Sequence, residues 1–308
     1  MARAYASIIL KAPVQTVWAF VRDFNGLPKW APAIATSKIE GGLAADVVGC
    51  VRSFRTHDGI HIRERLLMLD DARRSFTYNF EKPAFPVTNY IATLQLYPVT
   101  HSGYTFAEWT ATFDEAPGDA GKYEKMISKD VFAANLTNLA RLIAAKKLKH
   151  GEEPLWKGGQ PNKVWTSRVI KAPVGDVWAV MRDFKGMGAW HNEITKMYML
   201  KKVRPDKVGG IRDFYFGKGH LNEVLLHLDD ITRSFSYRIT KSDTPWINYV
   251  SGPRLWPVTA SNSTFGVWTG DWQASPQDDL VLIPDTEQGV YQKAFDGVEK
   301  LLAKKRRR

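Results

Sequence analysis

KAPVQTVWAFVRDF, beginning at Lys11, returns as KAPVGDVWAVMRDF, beginning at Lys171. The echo continues downstream at nearly the same spacing. ERLLMLDDARRSFTY from Glu64 matches EVLLHLDDITRSFSY from Glu223, and LYPVT from Leu96 matches LWPVT from Leu255. A period of 20 to 50 residues would describe a solenoid. The offset here is near 160 residues, the size of an ordinary domain. The chain therefore reads as two homologous globular domains in tandem, residues 1–148 and 163–308, joined by a linker at 149–162 rich in Gly, Pro and charge.

Within each repeat the pattern is the same. A short alternating strand opens it, at Tyr5 to Leu10 and at Val164 to Ile170. Pro13 and Pro173 sit where a first helical turn tolerates proline. Val14, Val17, Trp18 and Val21 then follow at helical spacing, as do Val174, Val177, Trp178 and Met181. About six strand-like segments come next, bounded by Gly, Pro or Asp. A long helix closes each repeat, from about Gly121 to Lys147 and from about Thr286 to Lys305. This order predicts an α+β fold, an antiparallel sheet curved around one helix.

Bulk properties narrow the class. At 308 residues and 44% hydrophobic content, two cores can be filled. The single Cys50 can form no intrachain disulfide, which suits a reducing compartment. The start, ARAYASIIL, lacks the regions of a signal peptide, and no apolar run reaches the length of a membrane span. A cytoplasmic protein is expected. The net charge of +11 gathers at Lys146, Lys147 and Lys149 and at Lys304, Lys305 and Arg306 to Arg308. Like-charge runs of this kind read as solvated tails rather than a nucleic-acid face. Nothing in the sequence fixes an oligomeric state.

Glu64 is the sharpest chemical signal. In HIRERLLML, alternation puts Ile62, Glu64, Leu66 and Met68 on one face and His61, Arg63 and Arg65 on the other. A carboxylate in an apolar row points inward, where burial raises its pKa and suits it to acid/base work or ligand anchoring. A Glu near the strand's open end, solvated or paired with an Arg, is the alternative. Leu221, Glu223 and Leu225 repeat the pattern. His191 and Glu193 follow Trp190 only in the second repeat, where the first has Ala31 and Ala33. With Glu223 they form a candidate acid/base cluster. His-Glu-Glu is also a conceivable metal set, but no HExxH-type spacing supports one, and no cofactor is expected. Asp70-Asp71 and Asp229-Asp230 read as turns. There is no phosphate loop and no GxSxG elbow.

The segments AP-x4-VW-x3-RDF at Ala12 to Phe24 and Ala172 to Phe184, with Trp30 and Trp190, Asn89-Tyr90 and Asn248-Tyr249, and Trp109 and Trp268, resemble the helix-grip superfamily. That superfamily includes START domains, birch-pollen-allergen-like proteins and the polyketide cyclase/dehydrase group. The resemblance covers nearly all of each repeat and implies a deep, mainly apolar cavity between the sheet and the last helix. Glu64, Glu223 and His191 would be the catalytic candidates. Likeness to the plant abscisic-acid receptors, a branch of the superfamily, implies that Glu193, Tyr90, Tyr249 and Asn135 face the ligand. Phe54, Trp109 and Trp268 complete the candidate ligand-facing set, with ordinary core packing the alternative for the two tryptophans. The receptors' Ser-Gly-Leu-Pro gate is absent, with Thr56 to Ile60 and Phe216 to Gly219 in its place. The resemblance implies a hydrophobic or aromatic small molecule as partner, bound by a cofactor-independent cyclase or dehydratase, or by a carrier, storage protein or sensor.

Overall fold

The computed structural model describes residues 1–148 and 162–306. The expected linker lies almost wholly outside these residues, as do Lys149, Arg307 and Arg308. The chain divides into two compact units, each built on one seven-stranded antiparallel sheet.

The first unit opens with β1 (Ala2–Leu10) and helix α1 (Val14–Val21). Then come β2 (Ile34–Ile39), β3 (Val51–Thr56), β4 (His61–Asp70), β5 (Ser75–Lys82), β6 (Val87–Val99) and β7 (Tyr104–Glu115). The sheet order β1-β7-β6-β5-β4-β3-β2 is a meander whose last strand returns to pair with the first. The closing helix has three consecutive parts: α2 (Lys122–Met126), a π-helical stretch over Ile127–Ala133, and α3 (Ala134–Ala144).

The second unit repeats this with β8 (Val164–Ile170), α4 (Val174–Met181), β9 (Ile194–Met199), β10 (Ile211–Phe216) and β11 (Gly219–Asp229). It continues through β12 (Ser234–Ser242), β13 (Ile247–Val258) and β14 (Ser263–Gln273), in the equivalent sheet order. Its closing helix joins α5 (Pro276–Pro284), a π-helical stretch over Asp285–Gln292, and α6 (Lys293–Arg306). Each unit is a helix-grip fold.

Two details depart from the sequence reading. The last helix of the second unit starts at Pro276, about ten residues before the expected Thr286. Ser275 caps it, its hydroxyl accepting from the Asp278 amide. Pro284 lies inside it and cannot donate to the helical ladder. The wider π turn begins at the next residue. Met68 also leaves the inward row of β4: Ile62, Glu64 and Leu66 are buried, but Met68 is exposed. A bulge between Leu66 and Met68 shifts the alternation there.

The repeated LDD segment anchors helix to sheet. Trp18 Nε1 donates to Asp71 Oδ1 at 2.7 Å, and the Arg22 guanidinium forks onto both oxygens of the same carboxylate at 2.9 and 3.0 Å. Trp178, Arg182 and Asp230 reproduce this at 2.7, 2.8 and 2.9 Å. The turn therefore has a second role that turn propensity alone does not reveal. The Asn of each Asn-Tyr pair has a backbone explanation. Asn89 and Asn248 have φ of 52° and 54°, a left-handed conformation that Asn tolerates better than most residues.

Burial pushes the Asp71 carboxyl up, but the Arg22 and Trp18 hydrogen bonds more than reverse this and leave it below its ordinary value. Its stabilising effect is thus complete above the unfolded-state carboxylate pKa and disappears as pH falls through the lower folded value. Asp71→Ala should cost about 1–2 kcal/mol at neutral pH, since it orphans the Trp18 indole N–H. The deficit relative to wild type should shrink on acidification, as read by thermal unfolding across pH.

Candidate functional site

Strand pairing places Arg52 of β3 opposite Glu64 of β4, and Arg212 of β10 opposite Glu223 of β11. All four side chains are buried. Arg52 Nε and Nη2 reach Glu64 Oε2 at 2.6 and 2.5 Å. Arg212 makes the same contacts to Glu223 Oε2 at the same distances. Each guanidinium also donates through Nη1 to a main-chain carbonyl, that of Phe24 at 2.8 Å or Phe184 at 2.9 Å. Aromatic faces enclose it. Arg52 lies 4.0 Å from the Phe24 ring centre and 5.0 Å from that of Tyr78, and Arg212 lies 3.9 Å from Phe184 and 5.0 Å from Tyr237.

Both contacts from the guanidinium fall on Oε2. Oε1 of each glutamate receives no hydrogen bond among the described residues. Burial raises the pKa of both carboxyls above the ordinary glutamate value, against the opposing pull of the arginine.

Beyond this pair the two interiors diverge. In the first unit Trp109 stacks on Phe132 at 4.6 Å and donates through Nε1 to the Tyr78 hydroxyl at 3.1 Å. Tyr90 stacks on Phe80 at 4.0 Å and its ring centre lies 6.3 Å from that of Tyr78. In the second unit Trp268 stacks on Tyr291 at 5.3 Å. Its Nε1 donates to the Ser251 hydroxyl at 2.9 Å. Ser251 and Tyr249 each hydrogen-bond to the Tyr291 hydroxyl, at 2.8 and 2.6 Å.

By alignment of the repeats, Ser251 and Tyr291 replace Ala92 and Phe132. Gly270 replaces Ala111, and a Cβ at Gly270 would overlap the Tyr291 hydroxyl. Three substitutions together thus turn an apolar ring stack into a chain of hydroxyls. Phe132 and Tyr291 both sit in the π-helical stretches, a backbone form that often occurs at functional sites.

The expected site residues do not all converge. Phe54 is buried beside Arg52, 5.7 Å from the guanidinium to its ring centre. Tyr90, Tyr249, Trp109 and Trp268 are buried in the interiors just described. Asn135 is half-buried on α3, and the neighbouring Asn138 instead donates to the Trp30 carbonyl at 3.0 Å.

His191, Glu193 and Glu223 do not form one cluster. His191 is buried, with Nε2 3.3 Å from the Val290 carbonyl oxygen and Nδ1 3.4 Å from the Glu193 amide. Burial lowers its pKa, so the ring is neutral at physiological pH. Glu193 pairs with Lys293, and Glu223 is held by Arg212. Each carboxylate is paired with a cation rather than with the imidazole. Among the described residues no group of three or more His, Cys, Asp or Glu is arranged to hold a metal ion. No described helix is long and apolar enough to cross a membrane.

Sequence reasoning gave pairing with an Arg as the alternative for the glutamates but did not identify Arg52 and Arg212 as the partners. Their signal was a repeated Arg in VRSF and IRDF ahead of each glutamate, but only strand register shows that the two face each other. Ser251 and Tyr291 were missed because their importance appears only against the other repeat.

Residues 1–144 and 161–303 both match the family described as polyketide cyclase / dehydrase and lipid transport. The chain belongs to that family, with one family unit in each half. It is similar to an uncharacterized protein from Bacillus thuringiensis, with 30% identity over 46% of this chain and 99% of that one, and a TM-score of 0.42. A solution structure from Thermobifida fusca is similar at 31% identity, covering 49% of this chain and 98% of that one, with a TM-score of 0.44. The di-domain ARO/CYC BexL from the BE-7585A biosynthetic pathway aligns over 97% of this chain and 98% of its own, at 12% identity and a TM-score of 0.42.

Removing one member of a buried ion pair leaves an uncompensated charge, whereas replacing both with apolar residues of similar size is far milder. Glu64→Gln should therefore destabilise the first sheet by about 3–5 kcal/mol. The double variant Arg52→Met/Glu64→Leu should recover most of that loss, as measured by hydrogen exchange of the β4 amides in the full chain.

Proposed function

We propose that each unit binds one aromatic or hydrophobic small molecule between its sheet and its closing helix. We further propose that the second unit acts on its ligand as a cofactor-independent cyclase or dehydratase. The observation that carries this reading is the Arg–Glu pair, present in both units at the same place inside an aromatic shell. A buried ion pair is weak support for stability, so keeping it twice while neighbouring positions diverged favours a functional role.

In the second unit the roles would be as follows. Arg212 holds Glu223 by Oε2 and leaves Oε1 to meet the ligand. Glu223 takes a proton from carbon next to a ligand carbonyl, and its raised pKa suits it to that work. The Tyr249 hydroxyl, backed by Tyr291 and Ser251, donates to the carbonyl oxygen as negative charge gathers there. For a dehydration, protonated Glu223 then gives its proton to the departing hydroxyl. The group leaves as water and the new double bond closes toward the ring. The surrounding aromatic walls would hold a flexible chain in the reactive fold, an entropic advantage.

The first unit has Ala92 and Phe132 where the hydroxyl chain would be and Ala31 in place of His191. That composition fits a binding or scaffolding unit. A non-catalytic carrier is the second reading for the whole protein, favoured by the arginine that ties down each glutamate.

Native mass spectrometry of the purified chain, followed by denaturing extraction, should release an aromatic or polyketide-like molecule. With that compound or its precursor as substrate, Glu223→Gln should lower kcat by about 100-fold while leaving affinity within a few-fold. Wild-type kcat should fall with acidification through a pKa above the ordinary glutamate value, because only the ionised carboxylate acts as base. Full turnover in Glu223→Gln would refute the acid/base role of Glu223, and no turnover of the compound by the wild type would leave the carrier reading standing.

A further inference from the structure

A second feature of the C-terminal unit lies outside its interior. An open depression of about 390 Å³ runs between the loop carrying Trp190 and His191 and one face of α6. Lys293, Gly297, Lys300 and Lys304 recur along that face at helical spacing, with Leu301 beside them. Lys293 is occupied by Glu193, and the one acidic liner, Asp296, is held by Arg168 at 2.5 Å. Lys300 and Lys304 have no ion pair among the described residues, so two ammonium groups face the depression uncompensated.

The floor is not ordinary solvated surface. Trp190 is 7% exposed, and its Nε1 donor, like that of Trp30 in the first unit, finds no acceptor among the described residues, so this feature is common to both units. Gly297 keeps the helix close against this floor, since a Cβ there would overlap the Trp190 carbonyl.

The first repeat provides an internal control. Ala134, Thr137, Arg141 and Ala145 stand where the second has Lys293, Asp296, Lys300 and Lys304. Asn138 stands where the second has Gly297, and its side chain hydrogen-bonds the Trp30 carbonyl. The cationic groove is thus particular to the second unit.

We propose that this groove binds a small organic anion, with its carboxylate or phosphate between Lys300 and Lys304 and its flat apolar body against Trp190 and Leu301. The site stands apart from the interior, so it does not depend on the chemistry proposed for Glu223.

Calorimetric titration of the full chain with naphthoate and its neutral counterpart naphthamide tests the proposal. Naphthoate should bind with a Kd below about 1 mM, more tightly than the amide, and more weakly as salt rises. Lys300→Gln/Lys304→Gln should weaken naphthoate binding roughly five- to tenfold. Arg141→Gln in the first unit should leave it unchanged. Equal binding of the two probes, indifference to the lysine changes, or no naphthoate binding would overturn the proposal.

Discussion

Each unit depends on a charged pair that a protein core ordinarily avoids. A guanidinium is sandwiched between a phenylalanine and a tyrosine, capped by a main-chain carbonyl, and fixed to one oxygen of a glutamate. Removing two charges from water costs several kcal/mol per ion, and good geometry only offsets that cost. The surrounding structure supplies the geometry. The β3–β4 and β10–β11 registers place the partners opposite each other. The loops after α1 and α4 bring in the carbonyls of Phe24 and Phe184. The Trp–Arg–Asp anchors fix those helices against the sheets. Fold and site share the same set of repeated residues.

Duplication makes the chain its own comparison. Where the two units agree, in the ion pair, its carbonyl cap and its aromatic walls, the requirement is common to both. Where they differ, they differ in matched sets. Ser251, Gly270 and Tyr291 replace Ala92, Ala111 and Phe132, and they work only together, because the tyrosine hydroxyl needs the space that the glycine leaves. Gly266 and Phe295 replace Ala107 and Leu136 as a volume exchange, since a Cβ at Gly266 would come within 2.8 Å of the Phe295 ring. Such sets describe two interiors of different polarity on one scaffold.

Much of the scaffold was legible in the sequence. The repeat, the strand–helix–strands–helix order and the inward position of Glu64 follow from spacing and alternation alone. Features set by pairing between distant segments were not. The bulge that exposes Met68 belongs to the β4–β5 register, and the arginine partners belong to the register of neighbouring hairpins. The last helix starts earlier than its sequence pattern suggests, and Pro284 within it is absorbed at the junction with the π turn. His191, Glu193 and Glu223 lie near enough in pattern to suggest a triad, yet Lys293 and Arg212 compete for the two carboxylates. Sequence proximity does not register that competition.

The most direct test of the central claim is a crystal structure of the full chain with its extracted ligand. A ligand oxygen or acidic carbon within about 3.5 Å of Glu223 Oε1, with Arg212 still on Oε2 and the ligand ring beside Trp268, is the predicted result. A ligand bound elsewhere, with the Arg212–Glu223 pair sealed behind its aromatic walls, would contradict it and leave the pair a purely structural element.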